Sequence, residues 1–131
     1  MAERAADAPD PARHIESSGA TEYCYLTTTG RRTGREHTIE IWFVAHDGCA
    51  YLMAGSHRSD WVVNLQARPA VQLRIGDVEF AAAAQAVDDP ADARQALLRG
   101  RMADKYGQRD PDGGLNRWAQ TARLVEICPE P

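Results

Sequence analysis

The chain has 131 residues, of which 44% are hydrophobic and 26% are charged, and its formal net charge is −4. This length and composition fit one soluble globular domain with a core of its own. The negative charge argues against a general binder of nucleic acid, so any anion site must be local. No apolar run of about 18 residues and no basic segment followed by an apolar one occurs, so neither a membrane span nor a signal peptide is expected.

An N-terminal arm comes first. Residues 1–18 are rich in alanine, proline and charge and are predicted to be flexible, or at most to form a short helix, before a single domain of residues 19–131. Six later segments are rich in β-branched, aromatic or alternating apolar residues, and each is predicted to be a strand. These segments are residues 21–30, 36–46, 49–55, 70–76, 78–87 and 121–128.

Helical segments separate some of these strands. Residues 59–67 are predicted to form a short helix capped by Ser59, and residues 89–106 a longer helix with an apolar stripe. A short helical turn is expected around Trp118. Six strands joined mostly by tight turns, with two or three helices, predict a mainly β fold, a small antiparallel barrel with the helices packed outside it.

The turn between the first two predicted strands carries three arginines, Arg31, Arg32 and Arg35, in the sequence TTTGRRTGRE. A hairpin turn needs glycines, but it does not need three like charges that repel one another. Backbone N–H groups of a glycine-bounded turn can form a concavity for anions, and guanidinium groups match phosphate or carboxylate oxygens. The turn is therefore predicted to bind an anion; a solvated, charged hairpin tip is the alternative.

The segment AGSHRSDW, residues 54–61, joins a strand to the short helix. Its small residues would let a planar ligand approach the backbone, and Arg58 adds a cation beside the start of the helix. A plain connecting loop is the alternative, and helical periodicity favours a core position for Trp61.

Glu40 is unusual because it lies between Ile39 and Ile41 in an otherwise apolar strand. Strand alternation places it on the face opposite these two isoleucines. The carboxylate could face solvent, pair with an arginine, or line a pocket; inside a barrel it would need a partner.

The cysteines and histidines offer no recognisable site. Cys24, Cys49 and Cys128 have no CxxC spacing and are predicted to be reduced thiols in a cytoplasmic protein. The four histidines lack HxxxH or HxH spacing, so no metal site is expected.

Taken together, YLTTTGRRTGREHTIEIWFVAHDGCAYLMAG and DWVVNLQARPAVQLRIGD resemble the deazaflavin-dependent nitroreductase family of the flavin and deazaflavin oxidoreductase superfamily. The resemblance covers about residues 23–80. It implies a split β-barrel of six to seven antiparallel strands, similar to FMN-binding folds, with flanking helices. It also implies the cofactor F420, a deazaflavin that carries a phosphate and an oligoglutamate tail.

The resemblance also implies positions for the cofactor. The phosphate end would lie at the turn, the deazaflavin ring beside the second strand, and the loop and helix that follow the next strand would flank it. The residues implied are Arg31, Arg32, Thr33, Gly34, Ile39, Glu40, Ile41, Trp42, Ala54, Gly55, Ser56, Arg58, Trp61 and Asn64. This chain departs from many members at His37, where they have arginine, and at Glu40, where they have proline.

The implied function is hydride transfer from reduced F420 to an electron-poor small molecule such as a quinone, an enone or a nitro compound. His57 and Tyr106 are candidate proton donors, and each could equally be a surface residue. An FMN-dependent reductase on the same fold, or a non-catalytic flavin- or haem-binding protein, are the alternatives. Split barrels often form homodimers with the cofactor near the interface, whereas relatives in this subfamily can be monomeric, so both states stay open.

Overall fold

The computed structural model describes residues 10–131, which form seven strands and four helices. In chain order the elements are α1 (Pro11–Ser17), β1 (Tyr23–Thr29), β2 (Glu36–Trp42), β3 (Val44–His46), β4 (Cys49–Ala54), α2 (Asp60–Ala67), β5 (Ala70–Ile75), β6 (Val78–Ala86), α3 (Ala93–Tyr106), α4 (Arg117–Thr121) and β7 (Arg123–Pro129).

All seven strands belong to one antiparallel sheet with the order β2-β1-β5-β6-β7-β4-β3. The sheet curls into a half-barrel around an apolar interior, so the predicted antiparallel, mainly β architecture is confirmed. The alternation predicted for β5 is confirmed: Val71, Leu73 and Ile75 are buried, while Gln72 and Arg74 are exposed.

Two apolar clusters hold the helices on the sheet. The first fills the half-barrel and includes Leu26, Leu52, Leu73 and Ile127. The second lies between β4, β7 and α3 and is built around residues such as Met53, Leu98, Met102 and Leu124. The predicted apolar stripe of the long helix is confirmed at Leu98 and Met102, whereas Ala91, its predicted first member, is exposed and precedes the helix. The helix begins at Ala93 because Asp92, not Asp89, caps it by accepting from the N–H of Arg94.

The second predicted strand is in fact two. Residues 36–46 are interrupted at Phe43, which is fully buried, and β2 and β3 lie at opposite edges of the sheet order. Phe43 alone joins the two edges of the sheet. A run of apolar and β-branched residues carries no sign of such a break, which explains why alternation missed it.

The arm contains an ordered helix. Residues 1–9 lie outside the described residues, but α1 falls inside the predicted flexible segment. Ile15 is fully buried, the His14 ring nitrogen lies 2.8 Å from the carbonyl oxygen of Ile75, and a carboxylate oxygen of Glu16 accepts from the N–H of Gly48 at 2.6 Å. These contacts are made with residues far away in the sequence, so local sequence patterns do not predict them.

The expectation of reduced thiols is wrong for two of the three cysteines. Cys49 and Cys128 form a disulfide across 79 residues, while Cys24 is free and buried. The pairing follows from the neighbouring antiparallel strands β4 and β7, in which Ala50 lies opposite Ile127. Among residues 10–131, no helix is both long enough and apolar enough to cross a bilayer.

Candidate functional site

A cleft of about 770 Å³ opens beside the arginine turn, between the turn, β2 and the start of α2. We call it the turn cleft. It is lined by Thr28, Gly30, Arg31, Arg32, Thr33, Glu36, His37, Thr38, Ile39, Asp60, Trp61 and Asn64. Its volume is in the range of small-molecule sites. Six of the residues named from the sequence line it: Arg31, Arg32, Thr33, Ile39, Trp61 and Asn64.

The turn itself is held by backbone hydrogen bonds. Gly30 donates to the carbonyl of Arg35 at 2.7 Å, and Gly34 donates to the carbonyl of Gly30 at 3.0 Å. Gly34 has φ of +74°, a left-handed conformation that favours glycine. A Cβ at Gly30 would lie within 3.2 Å of atoms of Thr33, Arg35 and His37, so a side chain there would crowd the turn. The glycines thus fix where the arginines project.

Arg31 is anchored to α2 by two hydrogen bonds to Asn64 and an exposed ion pair with Asp60. Its backbone N–H and its guanidinium both donate to the side-chain oxygen of Asn64, at 3.1 Å and 2.8 Å, and Asn64 is almost fully buried. The carboxylate of Asp60 lies 3.7 Å away but is highly exposed. Among the described residues, no carboxylate forms an ion pair with the exposed Arg32 or Arg35.

Thr28 contributes an unsatisfied polar atom to the same cleft. Its side chain is 1% exposed, and its hydroxyl oxygen is buried without a hydrogen-bond partner in residues 10–131. A buried hydroxyl without a partner costs about 1–3 kcal/mol. A ligand with a polar group in the cleft could supply the missing partner, which makes Thr28 a candidate binding residue that the sequence did not reveal.

The two faces of β2 have different roles. Ile39 points to the interior, opposite Leu26, and contributes to the turn cleft. Glu40 lies on the outer, exposed face, where its carboxylate accepts a hydrogen bond of 2.8 Å from the hydroxyl of Tyr25. Strand alternation therefore predicted correctly that Glu40 lies on the face opposite the isoleucines. This face is the outside of the half-barrel.

A smaller cleft of about 230 Å³ lies where β2 approaches β4 and α4. We call it the aromatic cleft. Its lining residues are Tyr23, Glu40, Ile41, Trp42, Met53 and Trp118. Trp42 stacks on Tyr106 with ring centroids 4.4 Å apart and meets Trp118 edge-on at 5.6 Å. This packing gives the cleft a wall of fixed aromatic rings.

The loop after β4 lies close to these rings without lining either cleft. Ala54 is buried, and a Cβ at Gly55 would lie 3.4 Å from the indole nitrogen of Trp118. The side chains of Ser56 and Ser59 bond to backbone groups within the loop, and Arg58 is exposed. Ser59 is the N-cap residue of α2, as predicted, although its hydroxyl donates to the carbonyl of Ser56 instead of capping the helix.

Both candidate proton donors are held by the backbone. A ring nitrogen of His57 lies 3.0 Å from the carbonyl oxygen of Thr121. The Tyr106 hydroxyl lies 2.6 Å from the carbonyl oxygen of Glu22 and accepts from the N–H of Phe43 at 3.0 Å. Burial raises the pKa of Tyr106 to about 12, which disfavours proton release near neutral pH. These contacts favour structural roles for both side chains.

Several residues that line the turn cleft were not predicted from the sequence, because contacts between distant segments bring them together. Thr28 and His37 are cross-strand partners in the β1–β2 ladder, a pairing that the position of the turn could have revealed. Asp60 reaches the cleft only because α2 packs beside the turn. Among residues 10–131, no group of three or more histidine, cysteine, aspartate or glutamate side chains is arranged to hold a metal ion.

Known proteins resemble this chain in both sequence and fold. A model of the F420H(2)-dependent quinone reductase family matches residues 12–116. An F420H(2)-dependent quinone reductase of Mycobacterium tuberculosis is 36% identical over 117 residues, which cover 83% of this chain and 72% of the relative.

Two solved structures share the fold at low identity. The haem storage protein HutZ of Vibrio cholerae aligns with a TM-score of 0.67 and 19% identity, over 91% of this chain and 87% of its own. An F420-H2 dependent reductase, FDR-A, aligns with a TM-score of 0.61 and 17% identity, over 80% of this chain and 92% of its own. The split β-barrel expected from the resemblance is thereby confirmed, and so are the expected cofactor class and reductase activity of the family. The chain belongs to the F420H(2)-dependent quinone reductase family.

Proposed function

We propose that this protein uses reduced F420 to reduce a quinone, and that the turn cleft holds the anionic end of the cofactor. The observation that carries this proposal is the arginine turn: Arg32 and Arg35 are exposed and have no carboxylate partner in the described chain, and Arg32 lines a cleft of suitable size. Phosphate and glutamate carboxylates are the ligands that such guanidinium groups recognise.

The residues of the turn cleft fit the cofactor. Arg31 and Arg32 would contact its phosphate or glutamate oxygens, and the tight turn between Gly30 and Gly34 would let those oxygens approach the backbone. The unpartnered hydroxyl of Thr28 supports a polar ligand in the same place, because binding would relieve its desolvation cost. Asn64 would keep Arg31 oriented through its two hydrogen bonds.

The ring end would extend along β2 towards the aromatic cleft. When bound, the reduced deazaflavin supplies the hydride. Ile39, Ile41 and Trp42 would position the ring, and the aromatic cleft would receive the planar acceptor and limit access of water. Ala54, Gly55, Ser56 and Arg58 would flank the ring from the loop side. No nucleophilic side chain is needed for this chemistry.

The acceptor is proposed to be a quinone because of the family and of the relative that is named a quinone reductase. Enones and nitro compounds are electron-poor acceptors of similar shape and stay in the proposal as alternative substrates. His57 and Tyr106 stay candidate proton donors, although the polar atoms of both are bonded to backbone groups. A cytoplasmic location and a homodimer also stay predictions.

The discriminating experiment titrates purified protein with F420 and, separately, with FMN at matched ionic strength. We expect tighter binding of F420, because several arginines suit a ligand with several negative charges. Mixing the protein with reduced F420 and a soluble quinone should then give multiple turnovers of cofactor oxidation. Equal or tighter binding of FMN would favour an FMN-dependent reductase, and binding without turnover would favour a storage or carrier role.

A further inference from the structure

A third cleft, of about 540 Å³, lies away from the proposed cofactor site, between the end of α1, strand β3 and the last two turns of α3. We call it the basic cleft. It is lined by Glu16, Gly19, Val44, Ala45, Arg101, Asp104 and Lys105. Its volume suits a small molecule. None of its residues lines the turn cleft or the aromatic cleft.

Two cations of this cleft have no carboxylate partner among the described residues. Arg101 and Lys105 are four residues apart on α3, so their side chains lie on the same face of the helix. Arg101 donates to the carbonyl of Ala45 at 3.2 Å and lies 3.4 Å from a ring nitrogen of His46. The ammonium group of Lys105 donates to the carbonyl of Phe43 at 2.8 Å. Neither forms an ion pair with a carboxylate of residues 10–131.

The two acidic residues of the cleft are already engaged. The carboxylate of Asp104 binds the guanidinium of Arg109 at 2.6 Å, and that pairing lowers the pKa of Asp104. A carboxylate oxygen of Glu16 accepts from the backbone N–H of Gly48 at 2.6 Å. Only Asp104 is neutralised by an ion pair, with Arg109, and Glu16 bonds a neutral backbone group. The cleft residues without an ion pair in residues 10–131 are Arg101, Lys105 and Glu16, so the cleft keeps an excess of positive charge.

The rest of the cleft is suited to an apolar group. Val44 and Ala45 form part of its wall, and Val44 is buried in the second apolar cluster. The ammonium of Lys105 lies 4.0 Å from the ring centre of Phe43 and 5.0 Å from that of Tyr106. Burial lowers the pKa of Lys105 to about 8, so an added negative charge would favour its protonated form.

We propose that the basic cleft binds a small organic anion, a carboxylate carried on an apolar body, with Arg101 and Lys105 as its two cationic contacts. The carboxylate would lie between the two side chains, about one helical turn apart, and the apolar body would lie against Val44 and Ala45. This site is independent of the proposed function, because it uses none of the cofactor residues.

The test is a titration of the protein with benzoate, followed by amide chemical shifts in NMR spectra. We expect saturable shifts centred on Val44, Ala45 and residues 101–105. Arg101→Gln should weaken binding by about tenfold or more, since a charge-assisted contact is lost. Arg68→Gln is the matched control, because Arg68 is also exposed but lies outside the cleft, and its Kd should stay within about twofold of wild type.

Two further ligands test whether binding in the basic cleft needs both the negative charge and the apolar body. Neutral benzamide, which has the same shape without the charge, should cause no saturable shifts at these amides, and inorganic phosphate should bind more weakly than benzoate if the apolar wall contributes. Arg101 is exposed, so its replacement should not unfold the protein. The proposal is overturned if benzoate gives no saturable shifts in this cleft, if benzamide binds equally well, or if Arg101→Gln binds benzoate as tightly as wild type.

Discussion

Arginines occur in two contrasting settings in this protein. Arg94, at the start of α3, is surrounded by partners of its own: Asp92 at 2.7 Å, the carboxylate of Glu126, and the hydroxyl of Tyr51. Arg32 and Arg35, in the turn, have no carboxylate partner in the described residues. An arginine saturated by the protein fixes the fold, whereas an arginine left with unused donors beside a cleft is available to a ligand. The contrast, more than the number of arginines, supports the proposal that the turn binds the anionic end of the cofactor.

The strongest test of the proposed anion site replaces Arg31 and Arg32, the two arginines that line the turn cleft, with alanine. Each lost charge-assisted contact to phosphate or carboxylate should cost about 1.5–3 kcal/mol, so the Kd for F420 should rise by at least one to two orders of magnitude. Isothermal titration calorimetry at low and high salt measures this Kd. The affinity of the wild-type protein for F420 should fall as the salt concentration rises. Unchanged F420 affinity in the double variant would show that these arginines do not bind the cofactor.

Arg94→Met is the matched control for that experiment. It removes an arginine whose partners are all within the protein, so it should lower the free energy of unfolding by about 1–2 kcal/mol while leaving F420 affinity unchanged. Arg32→Ala alone should show the reverse pattern, because Arg32 is exposed and makes no ion pair in the described chain. Chemical denaturation and calorimetry on both variants separate stability from binding.

Thr28→Val should raise stability, in contrast to Arg94→Met. The substitution keeps the shape of the side chain and removes its unpartnered hydroxyl. The unliganded protein should gain up to about 1 kcal/mol of stability, because a buried polar atom without a partner is removed. If the hydroxyl bonds the cofactor, F420 affinity should fall by about two- to tenfold. A variant that loses stability without losing affinity would show that Thr28 serves the fold alone.

The pH dependence of stability tests the structural role of the ion pair between Arg94 and Asp92. Hydrogen bonds from Arg94 lower the pKa of Asp92 from 3.8 to about 2. A carboxyl group with a depressed folded-state pKa stabilises the fold above its unfolded pKa, and that contribution is lost as the pH falls towards 2. Asp92→Asn should therefore be less stable than wild type at pH 5 to 7, and the difference should shrink between about pH 4 and pH 2. Urea midpoints across this range provide the measurement.

The smallest expected effect is that of Glu40→Gln. Its carboxylate lies on the outer face and accepts from Tyr25, a hydrogen bond that the glutamine oxygen can also accept. Stability should change by no more than about 0.5 kcal/mol. Because Glu40 also borders the aromatic cleft, quinone turnover decides its role: altered steady-state kinetics with an intact fold would assign it to the site, and unchanged kinetics would leave it a surface residue.

The sequence predicted those features that depend on local pattern. The alternation in β5 and the facing of Ile39 and Ile41 follow from a period of two, which any half-buried strand must keep. The glycines and arginines of the turn were visible because they depart from what a hairpin needs. The family resemblance then joined these local signals into one cofactor hypothesis.

What the sequence did not reveal depends on contacts between distant residues. The disulfide of Cys49 and Cys128 requires β4 and β7 to be neighbours, and the break at Phe43 separates two strands that lie at opposite ends of the sheet order. The same holds for the proton donors: His57 and Tyr106 are held by backbone groups more than sixty residues away. Residue type alone could name them as acids, but only the fold shows that their polar atoms are occupied.

The position of Phe43 has a consequence for how this protein meets other copies of itself. The two edge strands of the sheet, β2 and β3, are joined by this single residue, so one end of each edge is turned towards the other. The β3 edge is only three residues long, and β2 carries the charged residues Glu36 and Glu40. Short or charged edges are poor templates for strand addition. The half-barrel should therefore resist sheet-to-sheet aggregation at high concentration even though its barrel is not closed.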